Sequence, residues 1–196
     1  MSHYFINDDS LVSNKKKIDV SILGTSFVLY TDNGVFSKDN LDYGTKHLLE
    51  SICLNGNETI LDVGCGYGPI GIYLAKAYPN TKIVMTDVLS RAIELTKDNL
   101  ALNNITNASV FLSYLYEKID DRFDIIISNP PIRAGKVVLN ELFVKAIEHL
   151  SEQGVLYLVI RKDQGADSHI KTLKQHYRDV SVVNKKKGYC IIKASI

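Results

Sequence analysis

From residue 58 onward, short apolar runs alternate with amphipathic stretches, and that rhythm constrains the fold more than any other feature. "ETILDVG" (58–64), "TKIVMTD" (81–87), "ASVFLS" (108–113), "FDIIIS" (123–128) and "VLYLVIR" (155–161) have the length and β-branched content of buried strands. Helical spacing fills the gaps, in "PIGIYLAKAYP" (69–79), "SRAIELTKDNLALNN" (90–104), "LNELFVKAIEHLSEQG" (139–154, with a glycine stop) and "DSHIKTLKQHY" (167–177). Two last strands, "DVSVVN" and "YCIIKAS", predict a closing hairpin around "KKKG" (185–188). Such alternation predicts an α/β fold, a mostly parallel seven-stranded sheet covered on both faces. Upstream, "IDVSILGTSFVLYT" (18–31) predicts a β-hairpin turning at Gly24-Thr25, after a polar, poorly structured leader. Leu48, Leu49, Ile52 and Cys53 predict a helix over Thr45–Leu54. The reading is one domain: an N-terminal extension at 1–56 packed on a core at 57–196, without repeat, low-complexity tract or linker.

At 196 residues, 45% hydrophobic and 23% charged, the chain suits one soluble globular domain. No window approaches 18 uninterrupted apolar residues and the first 17 lack a signal-peptide core, so neither membrane insertion nor secretion is expected. Cys53, Cys65 and Cys190 are scattered, as suits reduced thiols in the cytoplasm. His47, His149, His169 and His176 fall in helical patterns and are expected at solvent or helix ends; no ligand-like spacing suggests a metal. A net charge of +1 excludes a global basic field but leaves a local one open.

"LDVGCGYGPIG" (61–71) lies where the first core strand turns into the first helix. Gly64, Gly66 and Gly68 let the backbone approach a ligand closely, and such sheets bind ligands beyond the strands' carboxyl ends. Asp87, ending the next strand, is placed either to accept from ribose hydroxyls or to cap the following helix. Gly66-x-Gly68-x-x-Gly71 satisfies the NAD fingerprint weakly. Asp62 ahead of the glycines gives Asp-x-Gly-x-Gly-x-Gly, the arrangement used for S-adenosylmethionine; alone, Asp62 could instead bond loop amides.

"NPP" at 129–131 follows three isoleucines. Pro130 and Pro131 cannot donate to a ladder, so the strand stops by Asn129. In a doubly wound sheet this fourth strand lies beside the first, which brings Asn129 to the glycine loop's crevice. An exocyclic amine is a poor nucleophile because its lone pair is delocalised into the ring. The Asn129 side-chain oxygen and the Pro130 carbonyl can hold its two N–H bonds and favour a tetrahedral nitrogen aimed at a methyl donor. Catalysis of that kind is orientation and electrostatics.

Together, Asp62–Gly68, Asp87 and Asn129-Pro130-Pro131 resemble the motifs of class I S-adenosylmethionine-dependent amino-methyltransferases, with a Rossmann-like fold. "GVFSKDNLDYGTKHLL" (34–49), "LDVGCGYG" and "IISNPPIRAGK" are similar, more narrowly, to the catalytic half of bacterial small-subunit rRNA guanine-N2 methyltransferases. The resemblance covers residues 18–195. It implies S-adenosylmethionine as cofactor, held by Asp62, Gly64, Gly66, Gly68 and Asp87, with Phe36, Asp42, Gly44 and Thr45 closing over it. It implies Asn129, Pro130 and Pro131 as the amine-holding motif, and ribosomal RNA or the small ribosomal subunit as partner. Two positions depart from the family pattern. Ile132 stands where an aromatic commonly stacks on the base, and Ser113-Tyr114 where Asp or Asn meets adenine, which leaves Ser113 as a candidate. Phe36 could also be core beneath the hairpin.

Topology also yields an expectation about charge. Arg133 and Lys136 follow strand four, and Arg161 and Lys162 strand five. Lys185, Lys186 and Lys187 share that carboxyl edge if strand six is parallel to them. These groups read either as an RNA-binding rim or as solvated loop residues. Tyr189 beside them offers a base-stacking face or edge packing. Open alternatives are a protein glutamine amide or adenine N6 as acceptor, a non-catalytic cofactor- or RNA-binding domain, and an NAD-dependent dehydrogenase.

Overall fold

Ile125, Ile126 and Ile127 all sit below 6% exposure, yet they belong to different cores: Ile125 and Ile127 to one side of a sheet, Ile126 to the other. A strand covered on both faces has no reason to alternate apolar and polar residues. The computed structural model describes residues 12–196, so most of the polar leader expected from the sequence lies outside the described residues.

Strands β3 (Thr59–Val63), β4 (Lys82–Asp87), β5 (Ala108–Leu112), β6 (Phe123–Ser128), β7 (Leu150–Arg161), β8 (Asp179–Lys186) and β9 (Tyr189–Ser195) form one sheet in the order β5-β4-β3-β6-β7-β9-β8. The first five run parallel; β9 is antiparallel to both β7 and β8, so β8 runs with the parallel set. Helices α2 (Pro69–Ala77), α3 (Ser90–Leu102), α4 (Lys136–Lys145) and α5 (Ala166–Leu173) connect them. Pro69 opens α2, where its missing N–H costs nothing.

The N-terminal hairpin joins β1 (Lys16–Ile22) to β2 (Thr25–Thr31), and α1 (Tyr43–Leu49) follows. Its turn is Leu23-Gly24, at φ 46° and 85°, rather than Gly24-Thr25. Positive φ at both central residues is the two-residue geometry that matches strand twist, and Lys187-Gly188 repeats it between β8 and β9, at φ 48° and 80°. Val20, Ile22, Phe27 and Leu29 of the hairpin and Leu48 and Leu49 of α1 share one core with Ile60, Leu74 and Ile127. Two asparagines of α3 fasten β2. Asn103 accepts from the Val28 N–H (3.2 Å) and donates to its carbonyl (2.7 Å), and Asn99 does the same for Tyr30 (2.6 and 2.9 Å).

The expected helix over 139–154 is shorter: α4 ends at Lys145, a 3-10 turn spans Ala146–His149, and Leu150 already belongs to β7. Gly154 is no helix stop. It lies where the β6–β7 register slips between Phe123 and Ile125, and a Cβ there would meet the Phe123 carbonyl and the Ser151 backbone at 2.9 Å. A glycine marking a bulge looks the same in sequence as one ending a helix. The histidines need correcting too. His47 and His169 are buried in helices, and burial lowers the affinity of each for a proton. His149 stacks on Tyr116 with centroids 4.8 Å apart, and His176 is exposed.

Candidate active site

Register alone brings the motifs together. Asp62 pairs with Met85 on one side and Ile127 on the other, so two residues on, Gly64 stands level with Asp87 and Asn129 at the sheet's carboxyl edge. The Ser128 hydroxyl donates to the Val63 carbonyl at 2.7 Å and ties the two strand ends.

The glycine loop takes positive φ at Gly64 (74°), Gly66 (59°) and Gly68 (87°). Sequence reading missed what holds it. Thr96 donates to the Gly66 carbonyl and Asn99 to the Tyr67 carbonyl, each at 2.9 Å, from fully buried positions on α3. Two polar residues at i and i+3 on a helix face that otherwise enters the core were the available signal. Gly71 is a packing glycine: a Cβ there would collide with the Met85 sulfur.

Beside the loop lies a small cavity of about 50 Å³ with mostly apolar walls. Gly64, Asp87, Ser113 and Pro131 line it together with Val63, Val88, Tyr114, Leu115, Val138 and Leu142. Asp87 accepts from the Gly66 amide (2.9 Å) and the Leu89 amide (3.0 Å), while burial raises its carboxyl above the usual range. It therefore braces the loop, and Leu89 rather than Asp87 occupies the cap position of α3. The Ser113 hydroxyl accepts from the Lys118 amide and reaches the Leu115 carbonyl, which fixes it in the cavity wall. Asp62 is fully buried, and neither carboxylate oxygen has a hydrogen-bond partner. Burial first, then the charge of Asp87, pushes it up to about 8; the opposing Gly71 amide falls short of a hydrogen bond. At Gly64 an added Cβ would meet only Pro131 Cδ, at 4.0 Å. We therefore expect Gly64→Ala to fold with a loss of about 1–2 kcal/mol from its positive φ. Its methyl group would narrow the cavity, and calorimetry should show ligand affinity at least ~10-fold weaker, since ~1.4 kcal/mol is tenfold. Unchanged affinity would place the ligand elsewhere.

Pro131 also lines a second, more open groove with Phe36, Asp42, Asn129, Pro130, Ile132, Arg133, Arg161, Gln164 and Tyr189. The two spaces meet at that proline. Asn129 Nδ2 donates to Asp42 Oδ2 (3.0 Å) and to Thr45 Oγ1 (2.8 Å), and Asp42 Oδ2 also caps α1 by accepting from the Thr45 amide (2.8 Å). Phe36 is 58% exposed, so the core reading is corrected, and it faces this groove rather than the first cavity. Gly44 is pressed against the Tyr189 ring, 2.6 Å from where its Cβ would be. Tyr43 lies against that ring as well, at 5.5 Å, and the Arg161 guanidinium is 5.5 Å from its centroid. Edge packing thus accounts for much of Tyr189.

Arg133, Lys136, Arg161, Lys162, Lys185, Lys186 and Lys187 are all exposed along the carboxyl edge. The Lys162 amide donates to the Gly188 carbonyl at 2.8 Å, which joins the end of β7 to the hairpin tip. Arg161 pairs with Asp163 at 2.6 Å, and Lys187 sits 4.8 Å from the Tyr43 ring centroid. Among the described residues no His, Cys, Asp and Glu group could hold a metal, and no helix is long and apolar enough to cross a membrane.

A parallel sheet with a closing antiparallel hairpin, a glycine cradle over an apolar cavity and an Asn-Pro-Pro strand end together define a methyltransferase-type site. The methyltransferase small domain family matches residues 26–193, and the chain belongs to that family. It is 45% identical over 195 residues to "Uncharacterized protein YbxB" of Bacillus subtilis (strain 168), covering 98% of this chain and 97% of that one. It is 35% identical over 162 residues to "Ribosomal RNA small subunit methyltransferase C" of Haemophilus influenzae (strain PittEE), covering 81% of this chain and 48% of that protein. The T. thermophilus 16S rRNA N2 G1207 methyltransferase, solved with AdoMet and guanosine, superposes with a TM-score of 0.83 at 24% identity, over 95% of this chain and 51% of that one. The chain thus spans about half the length of the ribosomal RNA methyltransferases it matches.

Proposed function

We propose that this protein transfers a methyl group from S-adenosylmethionine to the exocyclic N2 amine of a guanine in small-subunit ribosomal RNA, in the cytoplasm. One observation carries the reading: Pro131 forms a wall common to the cavity beside the glycine loop and the groove that holds Asn129. A methyl donor in the first and an amine in the second would meet there. S-adenosylmethionine supplies a methyl group already activated by a sulfonium. The residues fit such a ligand: the cradle over Gly64 is open, the cavity is mostly apolar, and the buried Asp62 carboxyl just ahead of the glycines has no hydrogen-bond partner of its own. Asn129 Oδ1 and the Pro130 carbonyl accept the two N–H bonds of the amine and turn its lone pair towards the donor. The N–C bond forms as the S–C bond breaks, and the surplus proton leaves to water. Phe36, exposed in the same groove, offers the stacking face that Ile132 lacks. The relatives named as ribosomal RNA small-subunit methyltransferases support the choice of acceptor.

The test supplies labelled S-adenosylmethionine with small subunits, deproteinised 16S rRNA and soluble protein, all from cells lacking the gene. Label in N2-methylguanosine after nucleoside digestion is the expected result. Label in protein alone would overturn the RNA reading and keep the methyltransferase.

The basic edge is where the RNA backbone would run. If three or four of its cations touch phosphate, log affinity against log salt should slope at about −2 to −4. Combining Lys185→Glu, Lys186→Glu and Lys187→Glu should weaken RNA binding and flatten that slope, with cofactor affinity unmoved. An unchanged slope in filter binding would remove the edge from the RNA path.

A further inference from the structure

We propose that Asp42, with Thr45, is a positioning residue: it fixes the amide of Asn129 in one of its two orientations and so makes the groove selective for acceptors that bring N–H donors. The inference rests on the reading of Asn129 as the amine holder. A primary amide can turn over, exchanging oxygen for NH₂ with little change in shape, and in the turned state Asn129 would present donors where the reaction needs an acceptor. Asp42 removes the ambiguity because a carboxylate offers only acceptors. Its Oδ2 lies 3.0 Å from Asn129 Nδ2, and Thr45 Oγ1 lies 2.8 Å from the same nitrogen, so both amide hydrogens are taken. Turning the amide would set Oδ1 against a carboxylate oxygen with no hydrogen between them. Oδ1 is thereby left for the groove, where an amine finds an acceptor and a ring carbonyl meets repulsion.

Asp42 cannot swing away cheaply. The same Oδ2 caps α1 through the Thr45 amide at 2.8 Å, and the helix start is pinned because Gly44 is pressed against the Tyr189 ring. The orientation of a side chain ending β6 is therefore set by a segment 84–87 residues earlier in the chain.

Two substitutions separate positioning from capping. Asp42→Asn keeps an oxygen where both bonds converge. Asp42→Ser keeps a competent helix cap but is too short to reach Asn129. In single-turnover assays on the full chain, Asp42→Asn should stay within about tenfold of wild type. Asp42→Ser and Thr45→Val should fall about 10²-fold, the scale of losing one preorganised hydrogen-bonding group, with cofactor and RNA Kd within about threefold. Independently of turnover, the Asn129 side-chain amide hydrogens, assigned by ¹⁵N NMR against Asn129→Ala, should exchange with solvent at least ~10-fold faster in Asp42→Ser than in wild type, as protection by hydrogen bonding requires. Equal rates and equal exchange in Asp42→Ser and Asp42→Asn would overturn the inference. Slow Asn129→Ala beside fast Asp42→Ser would sink the inference alone, whereas wild-type turnover in Asn129→Ala would remove the amine-holding reading and this inference with it.

Discussion

Replacing Asn129 by alanine should slow single-turnover methyl transfer by about 10²–10³-fold, some 2.7–4 kcal/mol of barrier, and leave cofactor affinity within about threefold. Asn129 lines the groove and not the cavity beside the glycine loop, so on the proposed reading the donor loses no contact when the amide goes. What disappears, on that reading, is an acceptor aimed at a nitrogen that must become tetrahedral, an interaction stronger in the transition state than in the ground state. Folding should suffer little, because Asp42 Oδ2 keeps the Thr45 amide as a partner. Calorimetry with S-adenosylmethionine beside quenched-flow transfer decides the point. An equal loss of binding and rate would make Asn129 structural.

Asp62→Asn should raise stability near neutral pH. In the folded chain Asp62 is pushed up to about 8 from an ordinary 3.8, by burial above all. Between those values the folded state keeps a proton that the unfolded state has released, so stability falls as pH rises from about 4 to about 8 and is level beyond. Each pH unit in that window costs at most ~1.4 kcal/mol. The neutral amide abolishes this dependence. Near pH 7.5 the ligand-free variant should be more stable by about 1–4 kcal/mol, a Tm gain of roughly 3–10 °C, and near pH 4 the two proteins should melt together. Binding of the cationic cofactor should weaken in the same variant, since a buried unpaired carboxyl is tolerable where it serves a ligand. A lower Tm at pH 7.5 would mean that the carboxylate has a compensating partner in the fold.

Much of this was legible in the chain because the informative signals were local. A strand period, a proline opening a helix and glycines at fixed spacing act over a few residues, and parallel pairing then carried Gly64, Asp87 and Asn129 to one edge. The basic edge followed in the same way, once β8 ran parallel to β7. What stayed hidden depends on distant partners. Nothing near Asp42 announces that it grips a side chain 87 residues on. Nothing near His47 or His169 shows that their helices turn those faces inward. Gly154 misled because a bulge and a helix stop ask the same of the backbone. Phe36 was ambiguous between core and surface until the segment's path was known, for an aromatic ring suits either.

The asparagine pair on α3 has a further consequence for how the chain behaves among copies of itself. Val28 and Tyr30 would otherwise leave a row of amides and carbonyls along β2, a template for a strand from another molecule. Asn99 and Asn103 occupy those groups from within, doing with two side chains what a third strand would do. At the far margin of the large sheet, β8 presents exposed Val182 and Val183 at an outer edge. There Lys185 and Lys186 are the guard: like charges discourage two such edges from pairing. The same lysines therefore discourage edge-to-edge pairing whether or not RNA is present, and charge reversal, unlike neutralisation, preserves that protection.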